Sequence, residues 1–74
     1  MGERVVRMTS REAETILRRY GFALVAQKGS HRKWRNDTTK RQTTVPEHKG
    51  RVLPLGTLLS IMKTAEIPEG EWKR

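Results

Sequence analysis

The chain is predicted to be a small α+β domain in the order helix, three strands, helix. Three observations lead there: a capped amphipathic segment from Ser10, three short β-favouring runs between Phe22 and Val45, and a second helical segment opened by Pro54. Thr9 and Glu12 have the spacing of a capping box, with Met8 and Ala13 flanking it as a hydrophobic staple. The first helix therefore starts near Ser10. Ala13, Ile16, Leu17 and Tyr20 recur at helical spacing as one apolar stripe, and Gly21 supplies the stop.

From Phe22 the pattern turns to β. The runs are Phe22 to Lys28, broken at Gly29 and Ser30, then His31 to Arg35, a turn over Asn36 to Lys40, and Arg41 to Val45 ended by Pro46. Glu47 to Leu53 reads as a polar loop. Pro54 then opens the second helix, with Leu55, Leu58, Leu59 and Met62 in one stripe that Ile61 and Ala65 widen. Pro68 and Gly70 end it, and Trp72 is expected to fold back on the domain. Two singly striped helices cover one face of an antiparallel sheet and leave the other open. In the second strand Trp34 marks the helix side, which puts His31, Lys33 and Arg35 on the open face. Arg32 shares Trp34's face and is expected to sit at an edge or to snorkel its charge outward.

Composition narrows the classes of function. A chain of 74 residues forms one domain with a thin two-layer core, since so short a polypeptide buries only roughly 60% of its unfolded surface. There is no cysteine, hence no disulfide and no thiolate zinc site, and a reducing cytoplasm is the expected setting. Neither a membrane span nor a signal peptide is predicted: apolar stretches are a handful of residues, and Met1 to Ser10 is charged. The net charge of +8 is concentrated in residues 21 to 53, where eight Lys and Arg face two Asp and Glu. These cations interleave with strand residues, which describes a basic folded surface and points to nucleic acid or another acidic partner.

Two residues titrate near neutrality, His31 and His48. His31 follows Gly29 and Ser30, whose backbone amides can approach a phosphate, and has Lys28, Arg32 and Lys33 as sequence neighbours. A proton-transfer group among cations is the equipment for phosphodiester chemistry. The plainer reading is an ordinary strand histidine committed to a hydrogen bond. His48, in Pro46-Glu47-His48-Lys49-Gly50, is either a second titrating group or a loop residue that orients its neighbours. Two histidines without cysteine do not supply a zinc set, and Asp37 and Glu47 alone poorly support magnesium, so no metal and no cofactor are expected.

Four short motifs in order carry a family resemblance. Tyr20-Gly21-Phe22, Gln27-Lys28-Gly29-Ser30-His31, Thr44-Val45-Pro46-Glu47-His48 and Gly56-Thr57-Leu58 with Ser60-Ile61 make the chain, over about residues 9 to 70, similar to the HicA (YcfA-like) toxins of bacteria and archaea. The resemblance implies an endoribonuclease toxin of a type II toxin-antitoxin system with a fold like that of double-stranded RNA-binding domains. It also implies mRNA as substrate and a HicB-like antitoxin as partner. The family's catalytic histidine lies in a Gly-Ser-His motif, which maps onto Gly29, Ser30 and His31, and its Pro-any-His element onto Pro46 and His48. Arg32 departs from the pattern, because many members carry a second histidine or an aromatic residue there. The segment Gly2 to Arg7 exceeds the shortest members, as a mobile lead-in or an extra edge strand. On this reading His31 transfers the proton, and Lys28, Gly29, Ser30, Arg32, Lys33 and Arg35 bind RNA. The competing readings are a non-catalytic double-stranded RNA-binding module, which needs only the cations, and a pure protein-interaction partner for an acidic antitoxin.

Overall fold

A computed structural model describes residues 5–73 of the chain. The order is α1 (Ser10–Arg19), β1 (Ala23–Lys28), β2 (His31–Asn36), β3 (Arg41–Pro46), α2 (Leu55–Ala65) and a short 3₁₀ turn over Glu69–Trp72. The three strands form one antiparallel sheet with β2 in the centre. This is the α-β-β-β-α, α+β architecture that the sequence predicts.

Helix α1 begins where its cap dictates. The Thr9 hydroxyl accepts the Glu12 amide at 3.2 Å, and the Glu12 carboxylate accepts the Thr9 amide at 2.9 Å, closing the capping box. Ala13, Ile16 and Leu17 are buried and Tyr20 is half-buried, so the apolar stripe forms as expected. At the other end Gly21 has φ +87°, and a Cβ there would lie 3.2 Å from the Asn36 amide nitrogen. That nitrogen donates to the Tyr20 carbonyl at 2.7 Å, while the Asn36 side-chain oxygen accepts the Thr38 and Thr39 amides. One buried side chain thus ties the end of α1 to the β2–β3 turn.

The helices cover the β2–β3 half of the sheet. Trp34, Asn36, Thr43 and Val45 are buried on the helix side, whereas every residue of β1 is exposed. Phe22 belongs to the core but precedes the strand, and the register of β1 slips between Leu24 and Ala26, leaving Val25 as a bulge on the sheet edge. The seat of α2 is rotated from the stripe read in the sequence. Leu58, Ile61 and Ala65 are buried with Met62 beside them, while Leu55 and Leu59 remain 47% and 45% exposed. Six apolar positions cover more than one face of an eleven-residue helix, so spacing alone did not select which of them faces the sheet.

Trp72 does fold back, and it is wholly buried. In the segment before α1, the Val6 amide donates to the Trp72 carbonyl at 2.8 Å, Val5 bridges Lys73, and the Leu53 amide donates to the Met8 carbonyl at 2.7 Å. Residues 1–4 of that segment lie outside the described residues. The Glu71 carboxylate pairs with Arg19 at 3.2 Å. It also holds the Tyr20 hydroxyl above its usual pKa by hydrogen bonding to it.

The link between α1 and the sheet is polar. Glu14, buried at 5% exposure, accepts the Trp34 indole N–H at 2.8 Å and the Arg32 Nε at 2.7 Å on the same carboxylate oxygen. Arg18, one turn along, stands over the Trp34 ring at 4.9 Å. Arg32 therefore takes neither an edge nor a snorkelling route: it stays in the central strand with a carboxylate beneath it. Removing that carboxylate orphans the buried Trp34 donor and leaves the poorly solvated Arg32 with only Glu47 at 3.8 Å and the Gln27 side-chain oxygen at 3.4 Å. Glu14→Ala should cost on the order of 3–5 kcal/mol in chemical denaturation, against about 1 kcal/mol for loss of the helix cap in Thr9→Ala. Equal costs would mean that the buried pair does not hold α1 to the sheet.

Candidate functional site

His31 opens β2 immediately after a two-residue hairpin turn. Gly29 has φ +59° and takes the first central position, the conformation that a II′-type hairpin asks of a glycine. The turn is fastened on both sides. The Gln27 side-chain amide donates to the Gly29 carbonyl at 3.1 Å, and the Glu47 amide donates to the Ser30 carbonyl at 2.7 Å. Gly29 and Ser30 are thus a shaped turn that sets where His31 begins.

The register defines what surrounds His31 on the open face. Lys28 lies opposite it on β1 and Pro46 opposite it on β3. Directly opposed residues bring their Cβ atoms to about 5 Å, so the Lys28 ammonium is within easy reach of the imidazole. Two positions along β2, roughly 7 Å away, is Lys33, flanked by Ala26 and Thr44. Arg35 follows, flanked by Ala23 and Gln42. The open face is therefore a central row of His31, Lys33 and Arg35 bordered by small or neutral side chains, with Lys28 beside its head.

The electrostatics of this row follow from which cations are already paired. Each described carboxylate has a partner: Glu14 and Glu47 on Arg32, Asp37 on Arg35, Glu66 on Arg41, Glu69 on Lys73, Glu71 on Arg19, and Glu12 on the helix cap. Among the described residues Lys28 and Lys33 enter no ion pair, and the exposed His31 imidazole makes no hydrogen bond. Arg35 shares its charge with the exposed Asp37 at 3.0 Å.

The candidate residues divide between two faces. Lys28, His31, Lys33 and Arg35 meet on the open face, and Gly29 and Ser30 form the turn at its head. Arg32 points to the helix side and is held by Glu14 and, at 3.8 Å, by Glu47. His48 is exposed in the loop after β3 and lines a cleft on the helix side, away from the His31 row. Among the described residues no three His, Asp or Glu side chains converge as a metal site, and no helix is long and apolar enough to cross a membrane. Sequence reasoning passed over Glu14, Arg11 and Arg18. Their signal was present as the polar stripe of α1, in which Arg11, Glu14, Thr15 and Arg18 fall at helical spacing.

Fold and site together define a small α+β domain whose covered sheet face builds the core and whose bare face gathers unpaired cations around one histidine. The chain belongs to a toxin family: the family model described as HicA toxin of bacterial toxin-antitoxin matches residues 10–67. It is accordingly a toxin of a toxin-antitoxin system, with an antitoxin as counterpart. No curated protein matches the chain closely enough to serve as a relative.

The pairing pattern separates the roles of neighbouring cations. Neutralising Lys28 and Lys33 together to Gln should leave thermal stability nearly unchanged and should flatten the log-log salt dependence of binding to a single-stranded polynucleotide by roughly 1.4. Arg32→Gln should do the reverse, lowering stability through its pair with Glu14 while changing that slope little. An Arg32 variant as stable as the parent, with a flattened slope, would place Arg32 on the ligand.

Proposed function

We propose that the chain is an endoribonuclease that cleaves mRNA in the cytoplasm, with His31 moving the proton and the open-face cations holding the phosphates. One observation carries this reading. The histidine that falls on the family's Gly-Ser-His motif is exposed, uncommitted to any hydrogen bond among the described residues, and stands at the head of the Lys28, Lys33 and Arg35 cluster. A histidine serving a structural hydrogen bond would have a partner.

The chemistry follows from what stands next to a phosphodiester in RNA. The ribose 2′-hydroxyl is already positioned beside the scissile phosphate, which removes the entropic cost of bringing in a nucleophile. His31 accepts the 2′-hydroxyl proton as the 2′-oxygen bonds to phosphorus. Lys28 and Lys33, with Arg35 further along, stabilise the charge gathering on the non-bridging oxygens. The bond from phosphorus to the 5′-oxygen then breaks, and that oxygen leaves as a hydroxyl after protonation by solvent. The products carry a 2′,3′-cyclic phosphate and a 5′-hydroxyl. Gly29 and Ser30 contribute by shaping the turn that presents His31. His48 lines the cleft beside α1 and is assigned no step of the proton transfer. The counterpart on this reading is a HicB-like antitoxin that covers the open face, with carboxylates against the same cations that attract RNA.

The test separates catalysis from binding. His31→Ala should lower the cleavage rate by about 10² to 10⁴, with RNA affinity retained and stability changed by less than about 0.5 kcal/mol. An RNA with one 2′-deoxy sugar at the cleavage position should bind normally and resist cutting there. Parent protein that binds structured RNA tightly and never cuts it identifies a double-stranded RNA-binding module instead. Products with a 5′-phosphate would make water the nucleophile.

A further inference from the structure

The helix side of the domain carries a second concave, basic surface that the chemistry at His31 does not use. A cleft of about 690 Å³ lies between α1 and the loop that leaves β3. Arg11, Thr15 and Arg18 form one wall and His48 and Lys49 the other, with Arg32 among the residues lining it. Arg11, Arg18 and Lys49 are exposed, and none of them enters an ion pair among the described residues. The two carboxylates in the lining, Glu14 and Glu47, are both turned onto Arg32. Arg32 offsets one of their two charges, and with Arg11, Arg18 and Lys49 also in the lining its four cations outnumber its two carboxylates.

The cleft is also continuous with the His31 end of the sheet. Pro46 is the β3 residue opposite His31, and the next residue, Glu47, donates its amide to the Ser30 carbonyl at 2.7 Å. The chain passes directly from that contact into the His48–Lys49 wall. A strand of nucleic acid lying along the open face therefore reaches the cleft by turning over a rim made of Ser30 and Glu47. Inside, Arg11 and Arg18 are seven residues apart on α1, about 10.5 Å along its axis, with Lys49 facing them. Cations on two walls at such a spacing suit a bent polyanionic backbone better than a single small anion.

We propose that this cleft is a phosphodiester-binding groove that holds the RNA segment flanking the bond processed at His31. The inference rests on the endoribonuclease reading, and it adds Arg11, Arg18 and Lys49 as RNA-backbone contacts, with the His48 ring and the Thr15 hydroxyl lining the groove beside them. It predicts a dependence on substrate length. An RNA of three or four nucleotides occupies the open face alone, whereas a longer one also engages the groove.

The experiment measures fluorescence anisotropy of the full chain with end-labelled single-stranded RNA of four and of twelve nucleotides across a salt series. Because Arg18 also stands over Trp34, the deciding variant is Arg11→Gln with Lys49→Gln, which leaves that contact intact; its folding is checked by thermal unfolding. The expected result with the twelve-nucleotide RNA is a salt slope flatter by roughly 1.4, the change that follows when two phosphates of a single strand are no longer neutralised by the protein. With the four-nucleotide RNA the variant should match the parent. A control of equal charge change elsewhere, Lys40→Gln with Lys63→Gln, should leave both RNAs nearly unaffected. The groove assignment is overturned if the deciding variant binds the longer RNA as the parent does, or if the control flattens the slope equally. It is likewise overturned if RNA binding is unchanged while binding of a poly-glutamate peptide is abolished, since the cleft then serves an acidic protein. Absence of RNA binding by the parent chain overturns the endoribonuclease reading together with the groove.

Discussion

A single carboxylate oxygen on Glu14 sets how α1 lies against the sheet. It receives the Trp34 indole N–H and the Arg32 guanidinium from two residues of the central strand. Apolar packing is non-directional, so the contact of Ala13 and Leu17 with the core would tolerate some sliding of the helix. Two charge-assisted or buried hydrogen bonds to one oxygen do not. The consequence extends to the opposite face. With Arg32 and Trp34 fixed inward, alternation along β2 forces His31, Lys33 and Arg35 outward, so the orientation of the basic row is decided by the contact beneath it.

The same contact explains how a chain so rich in cations remains folded. Each described carboxylate is used in an ion pair or a cap, and most of these tie elements together: Glu71 to the end of α1, Glu66 to the start of β3, Glu14 and Glu47 to β2. What remains unpaired among the described residues is positive, and part of it, Lys28 and Lys33 on the open face and Arg11, Arg18 and Lys49 in the cleft, gathers on two surfaces on either side of the Ser30–Glu47 rim. Self-repulsion among neighbouring exposed cations is kept small by the high dielectric constant of water, salt screens pairs farther apart than about 8 Å, and an acidic ligand relieves what remains.

Much of this was legible in the sequence where local chemistry decides. Thr9 and Glu12 set the start of α1, Gly29 and Ser30 the hairpin, and Trp34 the polarity of the sheet. The sequence misled where the outcome depends on long-range packing. The six apolar positions of α2 allow more than one rotation about its axis, and only docking on β3 turned Leu55 and Leu59 outward. Arg32 looked like a charge in need of an exit because its partner, Glu14, lies eighteen residues away on another element. The cleft was hidden for a similar reason. Its walls come from α1 and from the loop after β3, and no spacing rule connects Arg11 with Lys49. His31 and its cations were easier to find because they follow one another along a hairpin.

The pairing of Val6 with Trp72 bears on how the protein comes into being. Trp72 is fully buried and lines the same recess as Met8 and Ile16, so the core that supports α1 is incomplete without it. A ribosome will have made the helix, the sheet and both basic surfaces before it reaches this tryptophan. Until then the central strand has its hairpin but lacks the finished support that fixes α1 above it. During synthesis the recess under α1 therefore closes last, once residue 72 is available to pack beside Met8 and Ile16.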